Sequence, residues 1–126
     1  EDPGYFGRTV TVQEISAVTA ACMMIRTEDF HNVGGFDETF QVAFNDIDLC
    51  MKVRAAGKKI VFTPYAELYH YESKSRGLED TPEKQFRFDK EVKAFEAKWS
   101  EQLAKGDPYY SPNLSVTEGD CSLRVD

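Results

Sequence analysis

The sequence predicts a mixed α/β fold with few strands, reading as one end of a larger α/β domain. Three observations predict it. Residues 81–105 carry one strong amphipathic helix, and residues 45–56 a shorter one with acids early and bases late. The stretches able to form strands are short and scattered. Hydrophobic residues make up 41% of the 126 residues and aromatics 13%, enough for a real core. A sheet of two or three short strands is marginal by itself.

Taken in order, residues 1–14 are polar and carry Gly and Pro, which predicts a loop. Residues 15–26, Ile-Ser-Ala-Val-Thr-Ala-Ala-Cys-Met-Met-Ile-Arg, are largely apolar. Periodicity alone does not choose there between a buried strand and a helix. The small residues Thr19, Ala20 and Ala21 imply that something packs closely against them. Thr27-Glu28-Asp29 predicts a short helix capped by Thr27, stopped at once by Gly34-Gly35. Residues 45–56 predict a second helix. Asn45 is its N-cap, Asp46 and Asp48 lie in its first turn, and Lys52 and Arg54 come late, an order that suits the helix dipole. Gly57 is a natural residue just past its end. Ile47, Cys50, Met51 and Ala55 form one apolar face and Leu49 and Val53 a second, so this helix is expected to be buried. Residues 59–63 predict a strand stopped by Pro64, and residues 66–71 a further strand ending near His70. Residues 72–81 are polar, with Gly77, and predict a loop. Thr81-Pro82 opens the longest helix, an N-cap followed by Pro at the first helical position. Phe88, Val92, Phe95, Trp99 and Leu103 then recur every three or four residues, and Gly106-Asp107-Pro108 ends the run. The whole of 1–126 is expected to be a single partial domain, with residues 107–126 an extended tail contributing little core.

Composition excludes some functions. Fifteen basic against twenty-two acidic residues leave a net charge of −7. Neutralising phosphates needs a basic surface, so a nucleic-acid partner is not expected. No apolar run is long enough to span a bilayer. The polar start, Glu1-Asp2-Pro3-Gly4, lacks the features of a signal peptide and is what a chain cut in mid-protein would show. The three cysteines are odd in number and form no CxxC pair. Cys22 and Cys50 sit in apolar runs and read as small hydrophobes. A disulfide framework or thiolate zinc site is therefore not expected, and the compartment reads as reducing and cytoplasmic, with the inner face of a membrane also open.

Four clusters carry chemical potential. Gly34-Gly35-Phe36-Asp37-Glu38 joins a sharp turn to carboxylates able to accept from hydroxyls, though a helix stop accounts for it equally well. Asn45-Asp46-Ile47-Asp48 puts carboxylates at the mouth of a helix, where one facing a cleft can act as a general base. Capping and dipole complementation explain the same acids, and Asp46-x-Asp48 as a bare DxD metal pattern is a weak match. His70, between Tyr69 and Tyr71, needs carboxylates from elsewhere to make a metal site, and by itself reads as structural. Ser73-Lys74-Ser75-Arg76-Gly77 has hydroxyls, cations and a flexible glycine, suited to an anion such as a diphosphate or simply to solvent.

The order of these pieces resembles the second half of family 2 glycosyltransferases. The matching runs are Val18-Thr19-Ala20-Ala21-Cys22-Met23-Met24-Ile25-Arg26, Val33-Gly34-Gly35-Phe36-Asp37-Glu38 and Asn45-Asp46-Ile47-Asp48-Leu49-Cys50. Val53-Arg54-Ala55-Ala56-Gly57, Thr63-Pro64 and His70-Tyr71-Glu72-Ser73 continue them. The run Gly106-Asp107-Pro108-Tyr109-Tyr110-Ser111-Pro112-Asn113-Leu114-Ser115 is similar to the tail of bacterial members of rhamnosyltransferase type.

The resemblance implies the C-terminal, acceptor-side portion of a GT-A fold. It implies an inverting transfer of sugar from a nucleotide-sugar donor to a hydroxyl of a glycan or lipid-linked acceptor, in cell-surface polysaccharide synthesis. Carried over by motif, Asp46 is the expected base. Gly34, Gly35, Phe36, Asp37 and Asn45 are expected on the acceptor side. Ser73, Ser75 and Arg76 are expected at the donor diphosphate, in a loop closing over it. His70 is expected to complete a Mg²⁺ or Mn²⁺ site, and Asp48 and Arg54 to brace the helix. The family's usual Glu-Asp pair is Asn45-Asp46 here, which keeps the base and removes the charge beside it. The nucleotide-binding half and its metal-binding DxD are absent from this sequence, so the chain alone is expected to be inactive and able to self-associate through exposed apolar surface. The competing expectation is a non-catalytic module of the same origin that binds a glycan or a protein.

Overall fold

The computed structural model describes residues 3–41, 43–71, 81–118 and 121–124. Strand β1 (Gln13–Ile15) is followed by a 3₁₀ turn (Ala20–Cys22) and helix α1 (Thr27–Asn32). Helix α2 (Asn45–Ala55), strand β2 (Ile60–Phe62), helix α3 (Pro82–Lys98) and the short helix α4 (Ser100–Ala104) complete the order. No helix among the described residues is long and apolar enough to cross a membrane.

β1 and β2 form a two-stranded antiparallel sheet, with Gln13 opposite Phe62, Glu14 opposite Val61 and Ile15 opposite Ile60. Part of the expected N-terminal loop is therefore a strand, because β2 supplies the ladder that its polar sequence does not advertise. Residues 66–71, expected as a strand, join no ladder among the described residues. Leu68, Tyr69 and Tyr71 are all exposed. An extended segment becomes a strand only beside a neighbour that takes its hydrogen bonds.

Helix ends follow local chemistry closely. The cap of α1 is Arg26 rather than Thr27, one residue earlier than expected. At the other end, Gly35 N–H donates to Phe30 O at 2.9 Å and Gly34 N–H to His31 O at 3.0 Å. This paired closure needs left-handed backbone, and Gly34 and Gly35 supply φ values of 79° and 64°. Gly57, at φ 77°, closes α2 as expected. Thr81 caps α3, its hydroxyl oxygen accepting from Lys84 N–H, with Pro82 in the first turn.

The core lies between α2 and α3. Phe40, Phe95 and Trp99 are buried together, with Phe44, Met51 and Ala94 packed against them. Leu49, Cys50 and Val53 are buried on the side of α2 that faces β2 and residues 15–26. The expected faces of α2 are thus redrawn. Ile47 and Ala55 point outward and Asp48 goes in, fully buried. Phe95 on α3 and Trp99 at its C-cap hold the core, while Phe88 on α3 and Leu103 on α4 remain partly exposed. Cys50 is buried as expected, whereas Cys22 is exposed, because a single turn of 3₁₀ helix covers little of it.

Leu114 is buried and bridges to Leu123. Ser115 N–H donates to Ser122 O and Arg124 N–H to Asn113 O, both at 2.8 Å. Tyr109 reaches back to the body of the fold. Its hydroxyl donates to Glu14 at 3.1 Å, and the Arg54 guanidinium lies 5.6 Å from its ring centre.

Candidate functional site

Phe44, just before α2, adopts left-handed backbone at φ 65°. A bulky residue there is strained by about 1–2 kcal/mol. Packing holds it in place: its ring stacks on Phe95 at 5.0 Å and lies 5.8 Å from Phe88. Phe44 therefore occupies the cap position without a capping side chain. Asn45, expected as the cap, is the first helical residue, and its side-chain oxygen accepts from Asp46 N–H at 2.7 Å.

Asp46 is half-buried at this helix mouth. Its Oδ1 accepts from Ile47 N–H at 2.8 Å and its Oδ2 from Ala20 N–H at 3.0 Å. The second bond accounts for the small residues around Ala20: the 3₁₀ turn must bring its backbone close to α2. Two donors fix the orientation of the carboxylate, and a carboxylate offers about four acceptor positions. The remaining ones can meet a hydroxyl.

Asp48 has the opposite environment. It is completely buried, and its Oδ1 accepts from Trp99 Nε1 at 2.8 Å and from Lys98 Nζ at 2.7 Å. Its Oδ2 lies 3.4 Å from Lys52 Nζ without a hydrogen bond among the described residues. Lys98 also bonds Asp37 Oδ2 at 2.7 Å. Its ammonium lies 5.5 Å from the Phe40 ring centre and 5.8 Å from that of Trp99. Burial opposes the charge on Lys98, but hydrogen bonds to Asp37 and Asp48 outweigh it and hold the lysine pKa above its ordinary value. The same lysine, with help from Thr39 N–H, keeps Asp37 well below the usual carboxylate range.

The structure therefore brings the Gly34–Asp37 turn to α2. Lys52 donates to the Gly35 carbonyl, and Lys98 ties Asp37 to Asp48. Gly35 is tightly packed, since a Cβ would sit 3.1 Å from the Phe30 ring, which would have to shift to admit it. Phe36 stays about half exposed and meets Phe30 edge-on at 5.5 Å. His70 lies exposed on residues 66–71. Among the described residues no group of three His, Cys, Asp or Glu side chains is placed to hold a metal ion. Ser73, Ser75 and Arg76 lie outside the described residues.

Sequence reasoning missed Glu91. It is buried on α3, and its carboxylate accepts from Gln41 N–H at 3.2 Å and Ala43 N–H at 2.8 Å. A signal existed: Glu91 lies four residues before Phe95 and eight before Trp99, on the helix face that enters the core.

A groove of about 810 Å³ opens on the other side of α2. Ile15, Val18, Met23, Leu49, Val53 and Ile60 are among its mainly apolar walls.

The chain is similar to proteins named for glycan assembly. It is 40% identical over 126 residues to the O-antigen biosynthesis protein RfbC of Myxococcus xanthus, covering 94% of this chain and 9% of that protein. It is 35% identical over 60 residues to an N-acetylglucosaminyl-diphospho-decaprenol L-rhamnosyltransferase of Mycobacterium tuberculosis, covering 48% of this chain and 20% of that enzyme. It is also 54% identical over 124 residues to the uncharacterized protein y4gI of Sinorhizobium fredii, covering 98% of this chain and 14% of that protein. The chain thus spans less than a sixth of the two relatives that match nearly all of it. No family model matches it, and no solved structure matches significantly.

Proposed function

We propose that this chain is the acceptor-side portion of an inverting, family 2 glycosyltransferase of GT-A fold that builds cell-surface glycan. The observation that carries the reading is Asp46, a half-buried carboxylate at a helix mouth, oriented by the backbone N–H groups of Ala20 and Ile47. The likeness to the O-antigen protein and the rhamnosyltransferase supports the same class.

In the reaction, an acceptor hydroxyl oxygen bonds to the anomeric carbon of a nucleotide sugar. The bond from that carbon to the diphosphate breaks on the opposite face, and the nucleoside diphosphate leaves. Asp46 takes the hydroxyl proton as the new bond forms, which makes a weak nucleophile competent. Asn45, Gly34, Gly35, Phe36 and Asp37 border the acceptor; Gly35 and Asp37 do so through a turn fastened by Lys52 and Lys98. Ser73, Ser75 and Arg76 are the proposed diphosphate contacts. The described residues do not assemble a site for a divalent cation. His70 is proposed to add one ligand to Mg²⁺ or Mn²⁺ held elsewhere in a longer protein, and no step here runs through it. The apolar groove and the two-stranded sheet support a fold completed by a nucleotide-binding unit, without which the chain is inactive.

The test is transfer and donor hydrolysis by the full-length protein with a panel of nucleotide sugars, against Asp46→Asn. Loss of a general base is expected to lower kcat by about 100- to 10,000-fold with donor binding intact. Undiminished turnover would remove Asp46 from the role. No turnover with any donor would favour a non-catalytic glycan- or protein-binding module.

A further inference from the structure

We infer that α3 is the positioning element of the Asp46 site, acting through Glu91, Lys98 and Trp99. The inference rests on the proposed role of Asp46, and none of these three residues touches a reacting atom in that proposal.

The anchors lie along a single face of α3 and its C-cap Trp99, and they engage the chain leading into α2 and its first turn. Both oxygens of Glu91 hold the backbone N–H groups of residues 41 and 43. Phe95 holds the Phe44 ring. Trp99 and Lys98 hold the Asp48 carboxylate. Positions 91, 95, 98 and 99 recur at the three- and four-residue spacing of one helical face. Residues 41, 43, 44 and 48 are thus held before, at and after the cap of α2.

Two residues along a helix are separated by about 200° around its axis. Drawing Asp48 fully into the core therefore turns Asp46 to the far side of α2, toward Ala20 and solvent. The grip also sets the start of α2. The strained left-handed backbone at Phe44 persists because its ring is stacked and its preceding loop is fastened. Slackening either anchor would let the first turn rotate or fray, and Asp46 would lose its aim before α2 lost its fold. A displacement of about 1 Å at a reacting group can cost roughly 100-fold in rate.

The experiment uses the full-length protein with Glu91→Gln, Trp99→Phe, Lys98→Met, Lys98→Arg and, as reference, Asp46→Asn. Glu91→Gln keeps size while losing an acceptor, and Trp99→Phe loses a donor while keeping an aromatic ring, though a smaller one. Rates are normalised to folded protein and measured well below each variant's melting temperature. The expected result is a kcat lowered about 10- to 100-fold in Glu91→Gln, Trp99→Phe and Lys98→Met. Donor KM should stay within about threefold, and Lys98→Arg should recover most of the loss, since it restores the cation. Asp46→Asn should lose more than any of them. If Asp46→Asn abolishes turnover while Glu91→Gln and Trp99→Phe keep full kcat per folded molecule, the positioning role is wrong and the function reading stands. If Asp46→Asn is itself harmless, both fall.

Discussion

Replacing Trp99 by Phe removes one buried donor from Asp48 and little else of the ring's shape. The indole N–H lies 2.8 Å from a carboxylate oxygen on a residue with no solvent exposure. A hydrogen bond to a charged group contributes about 1.5–3 kcal/mol. The smaller ring forfeits roughly 1–2 kcal/mol more in burial and packing. The expected loss is about 2.5–5 kcal/mol, a large share of the ~5–15 kcal/mol that holds a domain together. The hydrogen-bond part separates from the packing part in a double-mutant cycle. Urea unfolding, followed by helical circular dichroism, is measured for the parent, Trp99→Phe, Asp48→Ala and the double variant. A coupling energy of about 1.5–3 kcal/mol is expected between the two sites. A coupling below about 0.5 kcal/mol would refute the claim that this bond fastens α2 to α3, whatever the single variants cost.

Two further outcomes follow from the same geometry. Asp37 has a depressed pKa, with Lys98 the leading cause, so its contribution to stability is full above the unfolded value of about 4 and declines as pH falls below it. The melting temperature of Asp37→Asn should therefore depend less on pH between about 2 and 5 than the parent's; equal slopes would rule out the pairing. Both side chains are partly exposed, at 28% for Asp37 and 33% for Lys98, so the pair is worth no more than about 1 kcal/mol. Gly34→Ala and Gly35→Ala both place a side chain on left-handed backbone, at a cost of about 1–2 kcal/mol. Only at Gly35 does the new Cβ also meet the Phe30 ring, at 3.1 Å, whereas Gly34 has open space. Gly35→Ala should be the more damaging in urea unfolding; equal losses would show that the ring gives way freely.

Features that depend on near neighbours in the chain were readable in advance. Thr81-Pro82 starts α3 where the hydroxyl and the ring predict, and Gly57 and the Gly34-Gly35 pair end helices because only glycine takes those angles cheaply. Asp46 was legible as a carboxylate at a helix mouth, and the resemblance singled it out. What the sequence could not show is which of two acids faces which way. Asp46 and Asp48 are alike in chemistry and lie in one turn; tertiary packing sends Asp48 to Trp99 and Lys98, residues roughly fifty positions away, and leaves Asp46 to Ala20. Glu91 escaped notice because a charged residue on an apolar stripe looks like an interruption until the N–H groups it satisfies are in view. The strands divided in the same way. Residues 13 and 14 look like loop and pair with β2, while residues 66–71 look like strand and join no ladder among the described residues. Helices and the Thr81 and glycine caps are decided within a few residues because their hydrogen bonds close locally, whereas the start of α2 at Phe44 is held by packing. Ladders, buried charges and the aim of a carboxylate are decided by groups distant in sequence, so they belong to the tertiary structure alone.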